Sequence, residues 1–265
     1  MKKFMFLAIL TVLLSTTSQV FAASLMGSDL SSFAVLGGSA VTNVPTSTIV
    51  GNVGVSPNSS ITGFLSSPGV AVSDSQVTGG LVNAATPLAA SAQAELAVAR
   101  TDLGNMGPGS TLSADLTGLT ITPGVYTVPA AATSNLTGTV TLDGEGIANA
   151  IWVFQMPSTL VTSSGSIVNV INKGSGAEIF WNVNSSATLG TSSSFEGNIL
   201  ALTSITLDNK ATIDCGRALA NIGAVTMDMN TVNNCAPVPE PSSMVLGLMS
   251  LSSMLGFRRK KQCLI

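Results

Sequence analysis

The chain has 265 residues, only 9% of them charged, no histidine and a formal net charge of −3. Without histidine, nucleophile–imidazole pairs and histidine-bound zinc are excluded, so neither an enzyme nor a metal or other cofactor is expected. So few lysines and arginines leave no positive stripe for a phosphate backbone, which excludes a nucleic-acid partner.

In chain order, the first element is a segment to be removed. "MKK", then "FMFLAILTVLL", then "VFA" reads as a secretory signal over residues 1–22, cut after Ala22 by signal peptidase. Residues 30–64, "LSSFAVLGGSAVTNVPTSTIVGNVGVSPNSSITGF", read as short strands rich in Val, Ile and Thr, divided by Gly and Pro turns. Residues 65–85 are irregular and turn-rich. The pattern then changes at "TPLAASAQAELAVARTDLGNM". Thr86 is placed to cap and Pro87 suits a first helical position, while Leu88, Ala92, Leu96, Ala99 and Leu103 recur at helical spacing. With Gly104 as the stop, a helix over about 87–103 is predicted, its alanine-rich side suited to close approach to a flat surface.

From Thr111 onward the chain reads as strand and turn, apolar residues alternating with Thr, Ser or Asn. Two stretches repeat. "TLGTSSSFEGNILA" at 188–201 and "TLDNKATIDCGRALA" at 206–220, aligned on Thr188 and Thr206, set Phe195 on Ile213 and Gly197 on Cys215. After one inserted residue, Leu200-Ala201 falls on Leu219-Ala220. A shorter third copy, "TMDMNTVNNC", begins at Thr226. A period near twenty marks a stacked architecture in which each repeat buries its apolar side against its neighbours. Alternation plus repeat predicts a β-solenoid with Phe195, Ile213 and Val232 stacked inside as one column. A β-sandwich is the second possibility, but it leaves the regular repeats unexplained.

The C-terminal segment, residues 238–265, holds "VPEPSS", the largely apolar run Met244–Phe257 and "RRKK". That run is short for a spanning helix of ~20 residues but serviceable with snorkelling flanks, and the basic end belongs on the cytoplasmic side. Val238-Pro239-Glu240-Pro241, the apolar run and Arg258-Arg259 resemble the PEP-CTERM sorting signal of Gram-negative bacteria that export polysaccharide. The resemblance implies transient inner-membrane anchoring, recognition by an exosortase, loss of the tail, and release to the cell surface or extracellular matrix. An ordinary membrane anchor is the plainer alternative. The working domain is then 23–237. It keeps Arg100, Lys173, Lys210 and Arg217 against twelve acidic residues, a net charge of about −8, on a surface otherwise of Ser, Thr, Asn and Gly. Of the three cysteines, Cys263 lies in the tail. Cys215 and Cys235, one repeat apart in an oxidising compartment, are expected to pair and pin the last coils together.

The segments "FAVLGGSAVTN", "GNVGVSPNSSITGF", "GLTITPGVYTV", "NAIWVFQM", "FWNVNSSATLGTSSSFEGNILALTSITL" and "GRALANIGAVTMD" span roughly 30–235. In that order they resemble the bacterial and fungal ice-binding (antifreeze) family of the DUF3494 type. The resemblance implies an all-β dominated fold: a discontinuous right-handed β-solenoid of triangular section, with one long α-helix packed alongside. The N-terminal strands would close into the same stack as the C-terminal ones.

Two kinds of site are possible on such a stack. Clustered carboxylates would suggest a polysaccharide-cleaving enzyme. Here Asp115, Asp143, Glu145, Glu178, Glu196, Asp208, Asp214 and Asp228 are dispersed. Only Glu196 and Asp214 repeat in register, and they read as solvated edge carboxylates near Arg217 rather than as a cation site. The other kind is a surface. Outward residues at one place in each coil recur every ~4.8 Å up the stack, so stiff, uncharged Thr and Ser side chains can order water at an ice-like spacing. Counting outward from the Phe195 column selects Ser194, Thr212 and Thr231, then Ser192, Lys210 and Met229, then Thr191, Asn209 and Asp228. Thr42, Thr46, Thr48 and Thr62 are expected to extend the same plane. The candidate ice-binding residues are accordingly Thr191, Ser192, Ser194, Asn209, Thr212, Thr231, Thr42, Thr46, Thr48 and Thr62. The sequence departs from the T-A/G-x-T/N motif of several family members: Asn209-Lys210-Ala211-Thr212 places Lys210 where a small residue is expected. The function that follows is a secreted protein that binds ice and limits its growth or recrystallisation. The alternative is a structural or adhesive protein of an exopolysaccharide matrix.

Overall fold

The computed structural model describes residues 25–129 and 134–235; the expected signal segment 1–22 and the expected sorting tail 238–265 lie outside the described residues. The chain winds as a three-sided β-solenoid. One coil shows the path: Glu178–Val183 lies on a first side, Ala187–Leu189 on a second, and the start of Ser194–Ala201 on a third before that strand returns to the first. The pairings that build the stack are parallel. Period-2 alternation sends one set of side chains to a shared interior, where Phe195, Ile213, Val232 and Ile49 are successive register partners and all buried. Phe154 and Trp181 stack in the same core with ring centroids 4.1 Å apart. A sandwich is ruled out by this single wrapped core.

The stack is assembled out of chain order. On the first side the strands run, in space, 82–84, 52–55, 33–37, then 217–220, 198–201, 178–183, 151–156, 124–127 and 110–111. The last C-terminal coil thus sits directly on the first N-terminal one: Thr226 pairs with Thr42 and Thr231 with Thr48. A buried polar chain fastens this seam. The Asn230 N–H donates to Ser47 Oγ (2.9 Å), and Ser47 Oγ donates to Asn43 Oδ1 (2.7 Å). The Asn43 amide in turn donates to Gln76 Oε1 (3.0 Å). Residues 65–85, read above as irregular, contain the short strands Ala71–Val72, Val77–Thr78 and Val82–Ala84 at this end of the stack. Pairing with an existing sheet edge supplies the order that their turn-rich sequence does not announce.

The helix, Pro87–Asn105, returns the chain along the first side, which we call the helix-covered face; its 19 residues span about 28 Å. Thr86 caps it by accepting the Ala89 N–H at 3.2 Å. Ala89, Ala92, Leu96, Ala99 and Leu103 are buried against Phe33, Leu36, Val153, Phe180, Leu200 and Leu219. Arg100 ties it down further, donating to the carbonyls of Val183 and Leu200 at 3.0 Å each and to Asn184 Oδ1 at 2.8 Å. The helix runs past Gly104, the expected stop. The Met106 N–H closes the last turn on the Leu103 carbonyl (3.2 Å), and Gly107, at φ +81°, reverses the chain instead.

Two strands turn a corner without ending. Ser194–Ala201 and Thr212–Ala220 each serve the third side and then the helix-covered face, with a register shift between Glu196 and Asn198. That bulge takes up the inserted residue of the repeat. Gly197, at φ +102°, makes it possible: a Cβ there would meet the Ile179 side chain at 2.7 Å.

Because Ala92 is fully buried between helix and sheet, enlarging it should force the two apart. Ala92→Leu is expected to lower unfolding free energy by about 1–3 kcal/mol, seen as a lower denaturant midpoint with unchanged cooperativity.

Candidate functional site

The second side carries one column of threonines. Thr188 pairs with Thr206, Thr206 with Thr226, Thr226 with Thr42 and Thr42 with Thr62. All five point outward, exposed or half-buried, each following an inward residue that is buried. The column continues into Val161 and Asn135. Two residues back along each strand runs a second outward column, Ser186, Ser204, Ala224, Ala40 and Ser60, of which Ala40 and Ser60 are direct register partners. Hydrogen bonds fix its hydroxyls: Ser186 Oγ lies 2.7 Å from Thr203 Oγ1, and Ser204 Oγ accepts the Ala224 N–H at 3.2 Å. Neither column contains a charged residue. The result is a flat grid of hydroxyl and methyl groups with a mesh of about 4.8 by 6.6 Å, set by strand spacing and by two residues of rise. Threonine's stiff first torsion and the paired backbone beneath leave the grid little freedom to lose on contact with another ordered surface.

The third side, the disulfide face, carries a less regular column. Thr139, Ile167, Ser194, Thr212, Thr231 and Thr48 follow one another in register. Beside them Glu196 pairs with Asp214, Lys173 forms an ion pair with Glu196, and the Asn233 amide donates to Asp214 Oδ1 at 3.3 Å. Charges organise water around themselves, so this side offers no continuous neutral grid.

The structure therefore divides the ten candidate residues. Ser194, Thr212, Thr231 and Thr48 share the disulfide face; Thr42 and Thr62 lie on the threonine face and do not extend the same plane. Thr191, Ser192, Asn209 and Thr46 occupy the turns joining the two sides. Ser192, Lys210 and Met229 hold left-handed φ values of 56°, 59° and 51° there, and the Ser192 and Lys210 N–H groups donate to Asn209 and Asp228 carbonyls. Lys210 thus points out from a corner and does not interrupt the threonine grid. Thr188, Thr206 and Thr226, which complete the column, were absent from the sequence-based set although they open the three repeats. Alternation separates inward from outward but does not say which of three outward sides a strand serves.

A family model described as ice-binding-like matches residues 35–233, and a second, the PEP-CTERM protein-sorting motif, matches 237–261. An ice-binding protein of Nostoc sp. (strain HG1) is 44% identical over 256 residues, which cover 92% of this chain and 90% of that protein. An ice-binding protein of Colwellia sp. is 33% identical over 215 residues, 76% of this chain and 80% of the relative. The crystal structure of an ice-binding protein from the Antarctic ascomycete Antarctomyces psychrotrophicus superposes with a TM-score of 0.68. It is 36% identical and covers 78% of this chain and 96% of its own.

Outside the grid, among the described residues, Lys173, Glu178 and Arg217 line a cleft of about 320 Å³ at the corner between the disulfide and helix-covered faces. Arg217 forms part of its floor, donating to Asn198 Oδ1 (2.7 Å) and to the Ser31 carbonyl (2.8 Å). Burial pulls its pKa down to about 10, against the opposing pull of Glu178, so it stays charged at any ordinary pH. Cys215 and Cys235 form a disulfide at the rim, with Cα atoms 4.5 Å apart. Asp214 lies beside them, but bonded sulfurs offer no thiolate to a metal. Burial raises the carboxyl pKa of Glu178, partly offset by Arg217. Its proton is then held more tightly in the folded chain than in the unfolded one, so this group favours folding increasingly as pH falls from neutral through its raised pKa to the ordinary glutamate range. Thermal melts of wild type and Glu178→Gln should show the wild type gaining on the variant over that acidification.

Proposed function

Because the chain belongs to the ice-binding-like family, we propose that it is an exported, non-catalytic protein that binds ice through its threonine face and restrains ice growth or recrystallisation. The observation that carries the reading is the unbroken register Thr188–Thr206–Thr226–Thr42–Thr62, which with the column two residues before it holds no charge, Asp228 lying at the far edge of that side. Each hydroxyl or methyl contact with ordered water is weak. Many of them, held on one rigid plane, add without the ordering cost that a flexible surface would meet. Contact over a whole plane pins the ice front locally, and growth between pinned points must curve.

Export follows from the ends of the chain: signal peptidase removes 1–22, and an exosortase recognises Pro239-Glu240-Pro241 with Arg258 and Arg259. The inner membrane is touched only through the C-terminal segment. Among the described residues no helix is long and apolar enough to cross a membrane.

Ice-affinity partitioning tests the assignment. Thr226→Tyr places a bulky ring at the centre of the threonine column and should abolish partitioning with the melting temperature nearly unchanged. Thr212→Tyr, on the disulfide face, should leave most of it. The reverse pattern would move the site to the disulfide face, and no partitioning by the wild type would remove the function.

A further inference from the structure

The corner between the disulfide and helix-covered faces opens where two strands change sides. Past the bulge in Ser194–Ala201 and Thr212–Ala220, Asn198 and Arg217 are register partners, and both line the cleft of about 320 Å³ that the corner leaves. The Cys215–Cys235 bond holds one part of its wall, and the turn through Lys173, Gly174 and Gly176 forms another. A cleft of this size lies at the small end of those that hold small molecules.

Two opposite charges in this cleft are left unpaired. Arg217 is only 7% exposed. Its Nε–H and one Nη2–H donate to the Ser31 carbonyl, at 3.3 and 2.8 Å, and one Nη1–H donates to Asn198 Oδ1 at 2.7 Å. These bonds pin the Leu30–Ser32 turn to the sheet. A guanidinium carries a pair of N–H groups on each terminal nitrogen, so Nη1 and Nη2 each keep one to give. Lys173 with Glu196 is the only ion pair among the described residues, so none of their carboxylates neutralises Arg217 at contact. Glu178 lines the same cleft, half-buried, two strands from Arg217 across Ser194–Ala201. Its carboxylate accepts no hydrogen bond from the described residues and meets Arg217 only through space. A buried cation and a half-buried anion that do not touch each bear a desolvation cost that a direct bond would offset.

We infer that this cleft binds a small zwitterion, an amino acid in chemical class, with its carboxylate on the remaining N–H groups of Arg217 and its ammonium on the Glu178 carboxylate. Lying across the Ser194–Ala201 strand, such a molecule gives both charges the charge-assisted partner that they lack in each other. The pair also selects. A plain anion drawn to Arg217 is repelled by Glu178, and a plain cation drawn to Glu178 is repelled by Arg217. Only a molecule carrying both signs satisfies the cleft. The site lies on a corner away from the threonine grid and does not rest on the ice-binding reading.

Calorimetric titration of the full chain at neutral pH tests this, with glycine and γ-aminobutyrate as probes and acetate and methylammonium as single-charge controls. One or both amino acids should saturate, and the controls should bind about tenfold more weakly or not at all. Glu178→Gln leaves the Arg217 bonds to Ser31 and Asn198 in place. It should weaken amino-acid binding about tenfold, down to the level of acetate. In a parallel NMR titration of the wild type, the Asn198 side-chain amide should shift while the Thr188, Thr206 and Thr226 amides stay still. Saturation by neither amino acid, acetate binding as tightly as they do, or unchanged affinity in Glu178→Gln would each overturn the assignment. So would NMR shifts confined to residues outside the cleft.

Discussion

Every part of this molecule depends on one closure: the parallel pairing of its last coil with its first. A β-solenoid hydrogen-bonds each coil to the next, and any coil left without a neighbour exposes a row of unpaired backbone groups. Here the chain builds its N-terminal coils and crosses the stack as a helix. It then returns coil by coil until 225–233 meets 40–50. The buried run from Asn230 through Ser47 and Asn43 to Gln76 gives the seam its polar partners, and the disulfide lies on the same final coil. If the seam opened, the core would lose its continuity and the threonine column would be cut in two.

The three sides divide the chemical work. The helix covers one, and its alanines allow close approach while Arg100 satisfies carbonyls beneath it. The disulfide face and its corners take up Glu196, Asp214 and Lys173, where pairing and hydrogen bonds hold them. The threonine face is left with hydroxyls, methyls and amides in the Thr226 column and the one two residues before it, with Asp228 at its edge. The separation is physically necessary because a carboxylate or ammonium imposes its own geometry on nearby water and would break a neutral grid. It also explains how a domain with four basic and twelve acidic residues keeps the Thr226 column and the Ala224 column beside it free of charge, with Asp228 at the far edge of that side.

Much of this could be read in the chain. The helix was legible because Thr86-Pro87 and the i, i+4 apolar spacing are local signals, and only its end was displaced, since a second glycine at 107 does the work expected of Gly104. The inward column of Phe195, Ile213 and Val232 was legible because repetition and alternation coincide there. The outward plane was read less well. Thr42 and Thr62 were grouped with Ser194, Thr212 and Thr231, yet a corner separates them. Counting outward from the Phe195 column also selects Ser192 and Asn209 for the plane, yet they form the turns that make that corner.

The sequence by itself determined the stacked class of fold, the helix, the polarity of each strand and the neutral, hydroxyl-rich character of the surface. These follow from spacing and composition, which act over a few residues. Only the tertiary structure decided which outward side chains share a plane. Thr226 and Thr42 lie far apart in the chain and become neighbours solely through the closing of the stack. Period-2 alternation says inward or outward and nothing more, because the direction of "outward" is reset at every corner by turns whose geometry depends on the coils above and below.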